Sequence, residues 1–321
     1  MGAKVLIPQD IAEEGKQYLL ERGYEIKMGS GITVDAIKND VADCTAILAR
    51  TAPFPAEVLE AGKLLKVIGR HGVGVDNIDC KRAEELGIWV TNAPESNAGS
   101  VAEDTIGLIV AVARNYIRCD REFRAGNFEI RNKVKGVDVS GKVLGILGLG
   151  RIGKMVAKMA SSGLNMEILG YDPYVKELPG VTMAASVDEV CAKADFLTLH
   201  LPSLPETKKM MNKRLFSLMK PTARFINAAR GELVDEPALI EALQRGTIAG
   251  AALDVYEQEP LPSDNPLFKM DNVILTPHNA ALTKECTIRM ALHAAMGIDD
   301  VLSGRKPKWP VNNPEQVGSA V

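Results

Sequence analysis

The sequence predicts an α/β protein made of two doubly wound, parallel-sheet domains, and three observations lead to this fold class. Short apolar strands alternate with helical patterns along most of the chain, which is typical of parallel sheets covered by helices on both faces. A glycine-rich turn from Gly148 to Gly153 follows one of these strands. The length of 321 residues allows two domains, each with a core of its own.

The first part of the chain contains five predicted strands, at 5–7, 24–27, 46–49, 67–69 and 89–91. Helical patterns lie between them, for example at 12–22 and 55–61. The loops 70–77 and 92–97 each follow a strand. Both are therefore expected at the carboxyl edge of the sheet, where open α/β sheets bind ligands.

A long helix is predicted from Ser100 to about Ala113, with apolar residues nearly all round, which indicates a buried connecting helix. The next stretch, 115–138, is charged but carries Tyr116, Phe123 and Phe128. Two interpretations stay open for it: an arm that contacts another subunit, or a solvated helix.

Six further strands are predicted at 143–147, 168–171, 196–200, 224–227, 250–254 and 273–276. A helix at 284–302 follows the last of them and is expected to return to the first domain. The predicted domains are therefore residues 99–283 and a discontinuous unit of residues 1–98 plus 284–321.

The glycine-rich turn has the spacing of a dinucleotide-binding site, because it lies between a strand and a helix. Gly148 permits a tight turn, Gly150 lets a pyrophosphate approach the backbone, and Gly153 lets helix and strand pack closely. The next strand ends at Asp172, where such sites place an acid for the ribose hydroxyls. A glycine turn that only packs is the alternative.

Composition limits the possible partners and compartment. With a net charge of -3 the chain has no basic patch for nucleic acid, and it has no apolar stretch long enough for a membrane span. The N-terminus lacks the regions of a signal peptide. Five dispersed cysteines without a C-x-x-C pair favour reduced thiols in the cytoplasm over disulfides or a zinc site, and we expect no metal.

Three side chains at strand ends of the second domain are suited to chemistry on a small acid: Arg230, Glu259 and His278. A histidine transfers protons near neutral pH, and a carboxylate on its other nitrogen fixes the tautomer and raises the pKa. Arginine offers a planar fork for a carboxylate. Taken alone, each has an ordinary explanation as a cap, a surface acid or an ion pair.

The chain resembles the D-isomer-specific 2-hydroxyacid dehydrogenases, and within them it is most similar to phosphoglycerate dehydrogenases. The resemblance covers nearly the whole sequence and rests on several motifs together. These are residues 67–79, 97–115, 147–153, 171–173, 199–202, 227–231, 259–260 and 276–278.

The resemblance implies a flavodoxin-like substrate domain and a Rossmann NAD-binding domain, with substrate and NAD in the cleft between them, in a homodimer. It implies that Arg230 orients the substrate, that Glu259 is the partner of the histidine, and that His278 is the acid/base. The implied cofactor contacts are Gly148, Gly150, Arg151, Ile152, Gly153, Asp172, His200, Pro202, Thr207, Ala228 and Asp254. The predicted substrate contacts are Val73, Gly74 and Asn97 together with Arg50 and His71, which are proposed from their charge and their place at the sheet edge. Asp254 is alternatively a strand-end cap.

Departures from the family pattern leave the substrate open. His71 stands where a small residue is usual, residues 279–282 lack the usual glycine, and the sequence ends at Val321, which suggests a short form without regulatory domains. Positive charge from Arg50, Arg70 and His71 favours a dianionic substrate such as 3-phosphoglycerate. The alternatives are a hydroxypyruvate or glyoxylate reductase and, in another class, an NAD-sensing corepressor. Glu259 argues against a formate dehydrogenase, which has glutamine there.

Overall fold

The computed structural model describes residues 2–315 and confirms the α/β fold class, with sheets of five and seven parallel strands. Internal contacts divide the chain into two compact units. The first unit contains the described residues through Asn97 and those from Leu282 onward, and the second is Ala98–Ala281.

The elements through residue 97 alternate strictly between strand and helix. They are β1 (Lys4–Ile7), α1 (Glu13–Leu20), β2 (Glu25–Met28), α2 (Val34–Val41), β3 (Ala46–Ala49), α3 (Ala56–Ala61), β4 (Val67–Arg70), α4 (Cys80–Glu85) and β5 (Trp89–Thr91). The sheet order is β2-β1-β3-β4-β5, which is the flavodoxin-like order of doubly wound sheets.

The second unit begins with three helices, α5 (Ala98–Arg114), α6 (Tyr116–Arg124) and α7 (Ile130–Lys133). The elements that follow are β6 (Val143–Leu147), α8 (Arg151–Leu164), β7 (Glu167–Tyr171), β8 (Thr182–Met183), α9 (Val187–Lys193), β9 (Phe196–Leu199), α10 (Lys213–Leu218), β10 (Arg224–Asn227), α11 (Glu236–Gln244), β11 (Gly250–Leu253) and β12 (Val273–Leu275), with 3-10 turns at Gly231–Leu233 and Pro266–Lys269.

The order of the second sheet is β12-β11-β10-β9-β6-β7-β8. Read from β8, this is the usual dinucleotide-binding order with one strand added at the far edge. The prediction of six strands missed β8, because two residues are too few to show a strand pattern. In the structure, three strands end one residue before their predicted ends. His200, Asp254 and Thr276 are therefore the first residues of the loops at the carboxyl edge.

The last helix, α12 (Lys284–Leu302), packs against the first sheet. Small residues allow the close contact: a Cβ on Gly69 of β4 would lie 2.5 Å from the Ala294 carbonyl oxygen. Beyond the helix, the chain pairs antiparallel with β5 through Thr91 and Pro310. The sheet thus has buried layers on both faces, as a parallel sheet requires.

The connecting helix α5 is largely buried, as predicted, but it has an exposed edge formed by Glu103, Gly107 and Arg114. The segment that follows, residues 115–138, leaves large apolar side chains in solvent, with Phe123 61% and Phe128 56% exposed. In residues 2–315, no helix is long and apolar enough to cross a membrane.

Candidate active site

The glycine-rich loop between β6 and α8 has the geometry of a phosphate cradle. Gly148 has a φ of +93°, which favours glycine, and a Cβ on Gly153 would lie 2.0 Å from the Gly148 carbonyl oxygen. A Cβ on Gly150 would meet open space, so the backbone there is accessible. Because the first N–H groups of the 14-residue helix α8 are directed outward from this loop, the residues present fit a dinucleotide pyrophosphate.

Asp172 follows β7 and holds the same loop in place. Its Oδ2 accepts a hydrogen bond from the Leu149 backbone N–H at 2.8 Å, and its Oδ1 accepts one from the Tyr174 backbone N–H at 2.8 Å. Each carboxylate oxygen keeps a further lone pair. The side chain can therefore still accept bonds from the hydroxyl groups of a ribose.

The other predicted cofactor residues of this unit lie at one edge of the second sheet. Arg151 and Ile152 open α8, while His200 and Pro202 follow β9 and Ala228 follows β10. The hydroxyl of Thr207 already donates to the Pro202 carbonyl oxygen at 2.8 Å and accepts from the Leu204 N–H at 2.8 Å. A cofactor contact by Thr207 would thus have only one acceptor position left.

His200 is neutral in this environment, because burial lowers its pKa to about 3. Its Nε2 lies 3.2 Å from the Thr198 hydroxyl, and its Nδ1 is buried with no hydrogen-bond partner in residues 2–315. Placement of His200 on the cofactor side stays a prediction.

Asp254 is buried at the end of β11 and has the contacts of a strand-end cap. Its Oδ1 accepts from the Thr276 hydroxyl at 2.6 Å and from the Asn279 N–H at 2.9 Å, and its Oδ2 accepts from the Ala280 N–H at 2.9 Å. These donors flank His278 on both sides. The carboxylate therefore fixes the loop that carries the histidine, and its predicted cofactor contact stays a prediction.

His278 and Glu259 form a hydrogen-bonded pair. Nδ1 of His278 lies 2.7 Å from Oε2 of Glu259, and since a carboxylate only accepts, Nδ1 carries the proton and Nε2 is the nitrogen left for chemistry. The histidine has a φ of +50° and a side chain that is 54% exposed. The bond to Glu259 raises the pKa of His278 above its ordinary value, against the opposing effect of partial burial.

Glu259 is itself held in place by the loop around it. Its Oε1 accepts from the Tyr256 N–H at 3.1 Å. Burial is the largest single effect and would raise the pKa of Glu259, but the bond from His278, the charges of His278 and Arg230 and the Tyr256 N–H together outweigh it and lower that pKa. Farther out, Glu236 accepts from the Glu257 N–H at 3.3 Å and from the Asn265 amide at 2.7 Å, which fastens both ends of this loop.

Arg230 lies in the loop after β10, and two neighbours shape that loop. Asn227 is buried, donates to the Arg230 carbonyl oxygen at 2.9 Å and accepts from the Ala229 N–H at 3.0 Å. A Cβ on Gly231 would lie 1.8 Å from the Tyr256 carbonyl oxygen, so only glycine lets the two loops touch. The charge of Arg230 acts on the pKa values of both Glu259 and His278, so the structure brings these three side chains together.

The predicted substrate loop of the first unit has free backbone donors. The amide groups of Val73 and Gly74 donate no hydrogen bond within residues 2–315, while the Val73 carbonyl oxygen accepts from Asn92 at 2.8 Å. Adjacent free amides can bind a carboxylate. Asn97 lies half-buried just before α5, at the end of the unit.

The expectation that His71 supplies positive charge is wrong. Its side chain is only 6% exposed, and burial together with the Arg50 and Arg70 guanidinium groups lowers its pKa to about 4. Its Nε2 is buried and has no hydrogen-bond partner in residues 2–315. Arg50 donates from Nη1 to the Asp10 carbonyl oxygen at 2.6 Å, so part of its binding capacity is already used.

The sequence profile of the D-isomer-specific 2-hydroxyacid dehydrogenase NAD-binding domain matches residues 106–280. That range contains the glycine loop, Asp172, Arg230, Glu259 and His278. The chain belongs to this family. This dehydrogenase-family chain therefore carries an NAD-binding domain, and the prediction of NAD as its cofactor is confirmed.

Curated relatives of the same family match this sequence over nearly its whole length. D-3-phosphoglycerate dehydrogenases of Methanocaldococcus jannaschii and Archaeoglobus fulgidus are each 42% identical over 97% of this chain. The chain spans 60% and 59%, respectively, of the length of these two relatives.

Two solved structures have the same fold. The TT0316 protein of Thermus thermophilus has a TM-score of 0.91 and 35% identity, over 96% of this chain and 100% of its own. An NADPH-dependent glyoxylate/hydroxypyruvate reductase of Sinorhizobium meliloti has a TM-score of 0.87 and 28% identity, over 96% of this chain and 97% of its own.

We expect this dehydrogenase-family chain to prefer NAD over NADP. The Asp172 carboxylate would repel a 2′-phosphate, and the residues after it, Pro173, Tyr174 and Val175, supply no cation to neutralise that phosphate. Comparison of kcat/KM for the two cofactors, in the wild type and in Asp172→Ala, tests this. Equal values for NAD and NADP in the wild type would contradict the prediction.

Two supporting residues were not identified as such from the sequence: Asn227 and Glu236. Asn227 lies inside a recognised motif, where a strand-end asparagine is a known signal for a loop-forming side chain. Glu236 has no sequence signal for its role, because Glu257, the first residue of the loop that it binds, lies 21 residues farther along the chain.

Proposed function

We propose that this protein is an NAD-dependent oxidoreductase that interconverts a small D-2-hydroxy acid and its 2-oxo acid. The observation that carries the proposal is the 2.7 Å bond between His278 and Glu259, which orients an exposed acid/base group. It lies in the same unit as the dinucleotide cradle. Catalytic roles for Arg230, Glu259 and His278 are part of the proposal.

During oxidation, Nε2 of neutral His278 takes the proton of the substrate hydroxyl. Bound NAD supplies the hydride acceptor for C2 of the substrate. Glu259 stabilises the imidazolium that forms, and Arg230 holds the carboxylate and the carbonyl oxygen of the product. In the reduction direction, protonated His278 is the acid that donates to the carbonyl oxygen.

Glu259→Gln should lower the pKa of His278, because a neutral amide stabilises the imidazolium less than a carboxylate does. Reduction needs protonated His278, so its rate falls as the pH rises through that pKa, and the variant should lose reduction at a lower pH than the wild type. Oxidation needs the neutral ring and should begin at a lower pH. The measurement is kcat against pH in both directions, and superimposable profiles would remove Glu259 from this role.

For the substrate we propose a 2-hydroxy acid with a second anionic group, such as 3-phosphoglycerate. Two observations support it: relatives at 42% identity are D-3-phosphoglycerate dehydrogenases, and two guanidinium groups, Arg50 and Arg70, lie close enough to lower the pKa of His71. We propose that these two arginines bind the second anion of such a substrate.

A specific observation favours the alternative, a hydroxypyruvate or glyoxylate reductase. His71 is neutral, and Arg50 is already bonded to the Asp10 carbonyl oxygen, so the positive charge is smaller than the sequence suggested. One of the solved structures with the same fold is named as a glyoxylate/hydroxypyruvate reductase. This alternative keeps the same reaction and changes only the group at C3.

The deciding experiment compares kcat/KM for 3-phosphohydroxypyruvate and hydroxypyruvate. We expect the phosphorylated substrate to be preferred, and Arg50→Ala to weaken that preference. Lys66→Ala is a matched control, because it removes one exposed cation just before β4, at the opposite end of the strand. If hydroxypyruvate is used equally well, or if Arg50→Ala affects both substrates alike, the dianionic substrate is excluded and the alternative stands.

We further propose a cytoplasmic homodimer. The five cysteines are dispersed along the sequence without a C-x-x-C pair, a pattern that favours a reducing compartment. The segment 115–138 leaves Tyr116, Ile117, Phe123 and Phe128 between 51% and 61% exposed, a density of apolar surface typical of an interface. Sedimentation of the purified protein at the mass of two chains would support the dimer, and a single-chain mass would exclude it.

A further inference from the structure

Asp104 is a half-buried carboxylate of α5 that no step of the proposed reaction uses. Its Oδ2 is shielded from solvent and has no hydrogen-bond partner in residues 2–315. A carboxylate oxygen without a donor in a shielded position disfavours the charged form. The side chain therefore needs either a proton or a positive charge close by.

The charged group that faces Asp104 is another acid. Burial, followed by the charge of Asp254 at the end of β11, raises the pKa of Asp104 to about 6. Helix α5 also packs against α8, β10 and β12, but in residues 2–315 no cation of these elements contributes to that pKa. Asp254 differs from Asp104 because three donors satisfy it.

Asp254 connects Asp104 to the reacting end of the site. The donors that Asp254 holds lie on either side of His278, and its charge helps to raise the pKa of His278. In the proposed function the nicotinamide ring must lie next to the carbon whose oxygen exchanges a proton with His278. With the ring there, the charge of Asp104 can act on it as it acts between Asp104 and Asp254, and this step rests on the proposed function.

The two redox states of the cofactor differ in charge at that ring: oxidised nicotinamide is a cation and reduced nicotinamide is neutral. An ionised carboxylate stabilises the first and leaves the second almost unaffected. We infer that Asp104 shifts the cofactor affinities of this protein toward NAD⁺ relative to NADH, and that the shift grows as Asp104 loses its proton. NAD⁺ binding then releases a proton from Asp104 near pH 6, because the cation favours the ionised form.

The test is direct cofactor binding by calorimetry, without substrate, in the full chain. At about pH 8, Asp104→Asn should weaken NAD⁺ by roughly 5- to 15-fold and change NADH by less than about twofold, as expected when one charge that acts through protein at an effective dielectric constant of about 20 is removed. Glu103→Gln is the matched control, since it removes an exposed carboxylate of the same helix. It should change neither affinity by more than about twofold.

The dependence on pH separates Asp104 from His278, whose protonation also disfavours NAD⁺. Between about pH 5 and pH 8 the ratio of the two affinities should rise more steeply in the wild type than in Asp104→Asn, and the two proteins should converge at the acid end. Proton release on NAD⁺ binding near pH 6, measured in buffers of different ionisation enthalpy, should shrink in the variant. An unchanged affinity ratio in Asp104→Asn, or an equal change in Glu103→Gln, overturns the inference.

Stability without cofactor gives an independent check. Because the pKa of Asp104 is raised on folding, its favourable contribution is present below the unfolded value of 3.8 and is lost as the pH rises through about 6. Relative to the wild type, Asp104→Asn should therefore gain stability over this range. A constant difference would show that Asp104 ionises without penalty and would overturn the inference. Absence of turnover with any 2-oxo acid would instead refute the proposed function, which these binding measurements do not require.

Discussion

Replacement of His278 by alanine should lower kcat by about 10²- to 10⁴-fold and leave the Kd for NADH nearly unchanged. Nδ1 is bonded to Glu259, so Nε2 is the nitrogen that exchanges a proton with the substrate oxygen. His200 cannot take over this role, because it is buried and neutral. The measurement is steady-state turnover together with NADH binding by fluorescence.

The backbone at His278 calls for a second variant. With a φ of +50° the residue is in the left-handed region, where alanine is strained and asparagine is tolerated. His278→Asn should lose as much turnover as His278→Ala but retain more thermal stability. Turnover within about tenfold of the wild type in either variant would contradict the assigned role.

Gly231→Ala should both destabilise the protein and reduce turnover sharply. The added Cβ would lie 1.8 Å from the carbonyl oxygen and 2.0 Å from the carbonyl carbon of Tyr256, and backbone cannot move aside as a side chain can. The loops on either side of this contact carry Arg230 and Glu259. We expect a loss of about 1–3 kcal/mol in the free energy of unfolding, typical of overpacking, and a drop in kcat from misplacement of both residues.

Gly163→Ala is the control for that substitution. Gly163 lies in α8, where a Cβ would meet open space, so alanine should be neutral or stabilising through its helix propensity. Urea unfolding and kcat, measured for both variants, separate the steric effect from the general effect of an added methyl group. Equal behaviour of the two variants would show that the loops are not in the contact described.

The alternation of strands and helices predicted both sheets, because each strand is a short apolar run between turn residues and buried parallel strands need that pattern. The glycine spacing, read with its flanking strand and helix, identified the dinucleotide cradle for the same local reason. Strand β8 was not predicted, because its two residues are too few to show the pattern of a strand.

Long-range contacts explain what the sequence did not show. His71 was expected to be cationic, but its neutrality depends on burial and on two arginines, one of them 21 positions earlier in the chain. Arg50 was expected to face substrate, and the Asp10 carbonyl oxygen that it binds belongs to another strand-end loop. The helix that contains Asp104 was interpreted only as a buried connecting helix. The sequence did not indicate a role for Asp104, because its proximity to Asp254 exists only after folding.

The most direct test is the reaction itself, followed to its product. Purified protein is incubated with NADH and a panel of 2-oxo acids that includes 3-phosphohydroxypyruvate, hydroxypyruvate and glyoxylate, and the configuration of each chiral 2-hydroxy acid is determined. We expect NADH oxidation that depends on the 2-oxo acid, gives the D isomer and is lost in His278→Asn. Formation of the L isomer, or NADH binding without turnover of any 2-oxo acid, would contradict assignment of this chain as a D-2-hydroxyacid dehydrogenase.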